Sequence, residues 1–170
     1  TNNAIGAAID VGTNATNHIY QNNTIIARHR GIAPLYTRTW SALNNTITIN
    51  NPNPASSTAI GDLLANGGTG GTVTVTGNKF IGLTLPSIAT AQGITAITLG
   101  AGGGTNYVVK NNTITGFNMS GATPADSTYR GIFGASGADN FEIEHNSINM
   151  AAQTQPTGAT AGNVAAISMV

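Results

Sequence analysis

Apolar and polar residues alternate along this chain in short bursts. The cleanest is Thr72-Val73-Thr74-Val75-Thr76. Alternation with a period of two predicts a strand with one buried face. No stretch shows the 3.6-residue spacing of an amphipathic helix, and the abundance of β-branched residues and glycine works against one. The chain is therefore read as all-β.

The bursts recur. Asn23-Thr24-Ile25, Asn45-Thr46-Ile47, Asn78-Lys79-Phe80, Asn112-Thr113-Ile114 and Asn146-Ser147-Ile148 align, with the asparagines 22, 33, 34 and 34 residues apart. A partial further copy stands at Asn3-Ala4-Ile5. Five residues before each full copy's asparagine come His18, Trp40, Val73, Tyr107 and Phe141. Three before it come Tyr20, Ala42, Val75, Val109 and Ile143. A third apolar unit precedes these, at Ile9, Ile32, Ile60, Ile94 to Ile97, Ile132 and Ile167. Each repeat thus holds three short predicted strands.

Strands this short cannot bury their apolar faces alone. Stacking equivalent strands of successive repeats solves this, with inward residues forming columns in a shared core. The fold expected is a right-handed parallel β-helix, a solenoid of about 5–6 coils with three strands per coil. Ile25, Ile47, Phe80, Ile114 and Ile148 would form one core column, and Trp40, Val73, Tyr107 and Phe141 another. Asparagine tolerates the left-handed backbone of a sharp bend. Its amide can also bond its counterpart one coil away, about 4.8 Å along the stack. Asn23, Asn45, Asn78, Asn112 and Asn146 are accordingly expected to form a structural asparagine ladder.

The Asn-Asn-Thr-Ile units, the Gly-Ile strands and the aromatic-rich strand between them resemble the pectate-lyase-like superfamily of right-handed parallel β-helices. The resemblance covers nearly the whole chain. It implies the fold more than an activity, since that superfamily includes polysaccharide lyases and hydrolases, phage tailspikes and secreted bacterial adhesins. The Asn-, Thr- and Gly-rich style looks most like repeats of large bacterial surface proteins.

Composition removes several function classes. Six basic and six acidic residues cancel, and only 7% of the 170 residues are charged. That leaves no basic patch for nucleic acid and little for an anionic membrane. There is no cysteine, so disulfides and thiolate metal sites are excluded. No apolar run is long enough to span a bilayer. The chain begins at Thr1 without a signal-peptide pattern. It reads as one domain over 1–170, an excised or processed segment of a longer chain or a stacking fibre subunit.

Candidate chemistry is sparse. The carboxylates are Asp10, Asp62, Asp126, Asp139, Glu142 and Glu144. Asp10 would face outward in a column with Ala33, Gly61, Thr95, Phe133 and Ser168, without a second acid. Glycoside hydrolysis needs two carboxylates converging across a cleft, and no pair is evident on the strands. Asp139, Glu142 and Glu144 are the densest acidic spot. One reading is a calcium or other metal site. The preferred one is a solvated strand face, with Lys110 paired to Glu144 across strands. No metal or cofactor is therefore expected. Arg28-His29-Arg30, with Arg38 nearby, reads as a solvated turn. His18 belongs to the Trp40 and Val73 core column. Thr46 with Thr48, Thr74 with Thr76, and Thr113 with Thr115 put paired hydroxyls outward. Such arrays resemble ice-binding faces of some β-solenoids, although Lys79, Ile81, Ser147 and Asn149 interrupt the columns.

The connections 27–31, 50–58, 83–92, 118–130 and 150–163 lengthen along the chain and carry Pro, Gly and Ser loop signals. Nothing at either end resembles a polar cap. The expected role is an extracellular or cell-surface rod of bacterial origin, structural or adhesive and without catalysis. Its partners would be itself end to end, flanking coils of the same chain, or surface glycans. The alternatives are a polysaccharide-binding or polysaccharide-degrading β-helix, with Asp126 and Asp139 brought together by the long loops, and an ice-binding solenoid.

Overall fold

The alternating bursts become strands in a computed structural model of the chain. It describes residues 9–11, 16–27, 30–37, 39–49, 60–67, 70–81, 84–85, 93–100, 103–116, 118–119, 128–135, 139–149 and 164–170. Among the described residues there are eighteen strands and no helix. The first repeat contributes β1 (Ile9–Val11), β2 (His18–Gln21) and β3 (Thr24–Ala27). The second contributes β4 (Arg30–Thr37), β5 (Trp40–Leu43) and β6 (Thr46–Ile49). Then come β7 (Ile60–Gly67), β8 (Thr72–Thr76), β9 (Lys79–Ile81) and the short β10 (Thr84–Leu85). The fourth repeat holds β11 (Gly93–Leu99), β12 (Asn106–Lys110), β13 (Thr113–Thr115) and β14 (Asn118–Met119). The last strands are β15 (Thr128–Gly134), β16 (Asn140–Glu144), β17 (Ser147–Ile148) and β18 (Val164–Met169).

Every strand pairing is parallel, and each joins equivalent strands of successive repeats. The three main sheets run β1-β4-β7-β11-β15-β18, β2-β5-β8-β12-β16 and β3-β6-β9-β13-β17. The chain visits these sheets in turn and returns to the first. A two-stranded sheet, β10 with β14, pairs Thr84 with Asn118 and Leu85 with Met119. It lies inside two predicted loops, so part of these connections stacks as strands do.

Alternation dictates which side chains meet. In β8, Val73 and Val75 are buried while Thr72, Thr74 and Thr76 are partly exposed. One apolar cluster collects inward residues from all three main sheets. Its columns follow the pairing registers: Trp40–Val73, Val73–Tyr107 and Tyr107–Phe141 in one sheet, and Ile25–Ile47, Ile47–Phe80 and Phe80–Ile114 in another. Bulk is shared within a repeat. Trp40 stands with Ala42, Phe80 with Val73 and Val75, and Tyr107 with Val109, all of them buried. A large ring beside smaller side chains in each of these repeats keeps the interior filled. Burying each aliphatic or aromatic side chain contributes about 1.5–3 kcal/mol.

The first sheet departs from the expected register. Ile32 pairs with Leu63, not Ile60, and the column continues through Ile97, Ile132 and Ile167. Ile60 pairs instead with Ile94. The expected Asp10 column is corrected with it. Asp10 pairs with Ala33, whereas Gly61 and Thr95 align with Arg130 in another column. The physical cause is apolar residues three apart, Ile60 with Leu63 and Ile94 with Ile97. These offer two alignments, and only the pairing of the whole strand selects between them.

Candidate functional site

The most ordered polar feature is the row of asparagines between the second and third sheets. Two residues join the strands at each such corner, and they divide the work. The first is left-handed: φ is 58° at Asn22, 55° at Asn44, 70° at Gly77, 56° at Asn111 and 53° at His145. The bend was expected at the second residue, and it falls on the first. The second residue, Asn23, Asn45, Asn78, Asn112 or Asn146, supplies the amide. At Gly77 a Cβ would meet Asn44 Oδ1, the tip of an exposed side chain that would have to turn aside.

The amides bond in one direction. The backbone N–H of Asn23 and its Nδ2 donate to Asn45 Oδ1 at 3.0 and 2.9 Å. Asn45 donates in the same way to Asn78 at 2.9 and 2.9 Å, Asn78 to Asn112 at 3.0 and 3.0 Å, and Asn112 to Asn146 at 3.0 and 2.9 Å. Each Nδ2 also reaches back to the preceding repeat. Asn45 donates to the carbonyl of Tyr20 at 2.9 Å, Asn78 to Ala42 at 2.9 Å, Asn112 to Val75 at 2.9 Å and Asn146 to Val109 at 2.8 Å. Asn45, Asn78 and Asn112 are buried. Each side chain uses both amide hydrogens and accepts two bonds, so no buried amide valence is wasted.

The charged spot is ordered but does not converge on a metal. Lys110 Nζ sits 2.6 Å from Glu142 and 3.3 Å from Glu144. Glu144 is the register partner of Lys110, yet the closer bond goes to Glu142, because the long lysine side chain reaches diagonally. The Glu142 hydrogen bond holds the Lys110 ammonium above the usual lysine value; partial desolvation opposes this and Glu144 adds to it. Asp139 turns elsewhere, accepting the Thr105 backbone N–H at 2.8 Å. Among the described residues, no three His, Asp or Glu side chains gather in one place. Asp126, Arg28, His29, Arg38 and Asn3-Ala4-Ile5 lie outside the described residues, as do the side chains of Asp10 and Asp62. So do the connections 50–58 and 150–163 in full, and most of 83–92 and 118–130.

Two features carried no sequence signal strong enough to single them out. One is a lesser polar row at the corner entering the second sheet, where Asn140 Nδ2 donates to Asn106 Oδ1 at 2.9 Å. The other is the pair of large aliphatic side chains Ile19 and Ile26 facing outward, with Ile26 75% exposed; Ile81, which the sequence already places outward, joins them. The outward column of the third sheet runs from Ile26 to Thr48, with Ile81 and Thr115 as register partners further along. Beside it, Thr24 and Thr46 give way to the exposed Lys79 and then Thr113. His18 is half-buried and stacks on Tyr20 with ring centres 6.2 Å apart. Tyr107 and Phe141 stack with ring centres 5.3 Å apart, the first buried and the second partly so. No described helix is long and apolar enough to cross a membrane.

No protein-family model, curated protein or solved structure matches the chain.

Proposed function

We propose that this chain is a right-handed parallel β-helix working as a structural or adhesive rod module outside the cell, with no catalysis of its own. The observation that carries the reading is the asparagine row. Five amides in one hydrogen-bonded line, flanked by continuous apolar columns, describe a molecule whose polar chemistry is spent on holding its own repeats in register. Lys110, Glu142, Glu144 and Asp139 are likewise engaged with neighbours in the chain. The resemblance to pectate-lyase-like β-helices and to repeats of large bacterial surface proteins supports the same reading. The partners proposed are further coils of the same kind, met end to end, and surface glycans.

The deciding experiment is a screen for hydrolysis and eliminative cleavage on acidic and neutral polysaccharides, run beside a glycan-binding array. No turnover, with or without glycan binding, is expected. Turnover abolished by Asp126→Ala or Asp139→Ala would instead make the chain a polysaccharide-degrading β-helix. The Thr and Ile columns of the third sheet favour a second reading, an ice-binding face. Lys79 in mid-face counts against it, since a charged, strongly hydrated group disrupts a flat array of hydroxyls and methyls. Measurable thermal hysteresis, lost in Thr113→Lys, would establish it.

A further inference from the structure

The corners between the second and third sheets hold a further pattern beside the amide row. Asn22-Asn23-Thr24, Asn44-Asn45-Thr46 and Asn111-Asn112-Thr113 each match Asn-X-Thr, the acceptor motif for N-linked sugars. In all three the acceptor is the first corner residue, and the asparagine of the amide row fills the middle position. Asn22, Asn44 and Asn111 are exposed, whereas Asn45 and Asn112 are buried. The threonine of each motif opens the third-sheet strand, exposed at Thr24 and partly exposed at Thr46 and Thr113. Acceptor amide and hydroxyl thus both reach the surface at one corner.

Resting on the extracellular reading above, we propose that this corner row is an N-glycosylation site, with Asn44 and Asn111 as acceptors and a diphosphate-activated hexose as the donor. The acceptor Nδ2 forms a bond to the anomeric carbon of the sugar. The bond from that carbon to the phosphate oxygen breaks, the diphosphate leaves with the electron pair, and one amide proton passes to a base of the transferase. The fold leaves these amides to spare. Among the described residues, the bonds that tie one corner to the next run through the second asparagine and through the backbone N–H of the first. A sugar on the first residue's Nδ2 breaks none of them. On Asn45 or Asn112 it would displace a bonded amide hydrogen. The bend itself does not call for asparagine, since Gly77 makes it with φ of 70° and glycine enters that region with less strain.

Spacing selects among the three motifs. Asn22 and Asn44 stand at successive corners, about 4.8 Å apart along the stack, so sugars on both would compete for one space. The Asn44 side chain leans over Gly77, a corner with no side chain of its own. Leu43 and Lys110 both pair with Thr76, which places the Gly77 corner between Asn44 and Asn111. That bare corner gives each of the two acceptors room, whereas Asn22 has Asn44 for its neighbour. The remaining corners, Gly77-Asn78-Lys79 and His145-Asn146-Ser147, lack the acceptor asparagine and serve as internal controls.

The test is peptide mapping by mass spectrometry on two samples. One is the chain recovered from the cells that produce it. The other is the folded chain incubated with a soluble transferase that reads Asn-X-Ser/Thr and a nucleotide-activated hexose. Both should carry hexose on Asn44 and Asn111, with Asn45, Asn78, Asn112 and Asn146 bare. In the second sample Thr113→Ala should lose the sugar at Asn111 alone, Thr113→Ser should keep it, and Asn44→Gln should move the other sugar to Asn22. Thr113 faces outward, so neither change at that position removes a core contact, and circular dichroism checks that the β structure is kept. A bare chain from the cells overturns the proposal. So does a folded chain that the transferase leaves bare while modifying a peptide of residues 109–115. The cell fraction that holds the chain answers the rod reading separately: the cell surface keeps that reading, and the interior removes it.

Discussion

The interior repeats and the C-terminal repeat carry the same kinds of residue in opposite circumstances. Ile132 is fully buried, while Ile167, its register partner one strand on, is half-exposed. Tyr107, Val109 and Ile114 are buried, while Phe141, Ile143 and Ile148 are only partly so. Asn112 has a counterpart on both sides, whereas among the described residues Asn146 has one on a single side. Nothing in the local sequence of β16 to β18 accounts for this. Burial in a stack comes from two neighbours, and among the described residues β16 and β17 each have one. A residue's energetic weight is therefore set by its place in the stack as much as by its type.

That contrast can be broken most forcefully at the asparagines. Asn78→Ala strips partners from the buried donors of Asn45 and from Asn112 Oδ1, which has no solvent to turn to. At about 1–3 kcal/mol per orphaned group, the loss should total roughly 3–6 kcal/mol. Asn146→Ala should cost about 1–2 kcal/mol, because this amide is only partly buried. Paired urea melts give both figures, and equal losses would refute the graded picture. The aromatic rings come next. Phe80→Ala should cost about 3–5 kcal/mol through its cavity, and Phe141→Ala about half as much by the same measurement. The corners follow. Gly77→Ala meets both a left-handed backbone and Asn44 Oδ1 and should cost about 1–3 kcal/mol. His145→Gly relieves a left-handed non-glycine residue and should stabilise by up to about 1 kcal/mol.

The smallest effect is electrostatic. Lys110 is held above its ordinary value of 10.5 in the folded chain. Its contribution is therefore fully present below that pH and fades as the pH rises through the higher folded value. Comparing melting temperatures of the native chain and Lys110→Met from neutral to strongly alkaline pH should show a small difference that closes at the alkaline end. High salt should shrink it, since Glu142 and Glu144 are largely solvent-exposed. A difference that grows above pH 10.5 would contradict the assignment.

Legibility in the sequence followed redundancy. The corner asparagines stand out because every repeat needs the same amide, and no neighbouring residue type can replace it. Which of two consecutive asparagines bends the chain was not legible from Asn22-Asn23 or Asn44-Asn45. Gly77 and His145 held the clue, since the first position tolerates substitution and the second does not. The first sheet was misread where Ile94 and Ile97 both fit an apolar column. The candidate charges were found as a group, but the pairing of Lys110 with Glu142 depends on side-chain reach.

What the sequence determined by itself was the strand pattern, the repeat and the identity of the row that joins repeats. Period-two alternation and recurrent Asn-Thr-Ile corners are local properties, and local chemistry is enough to specify them. The tertiary structure decided the register of the first sheet and the one-way polarity of the amide row. Those depend on which strand lies beside which, a relation between residues 20 to 40 positions apart that no single segment encodes.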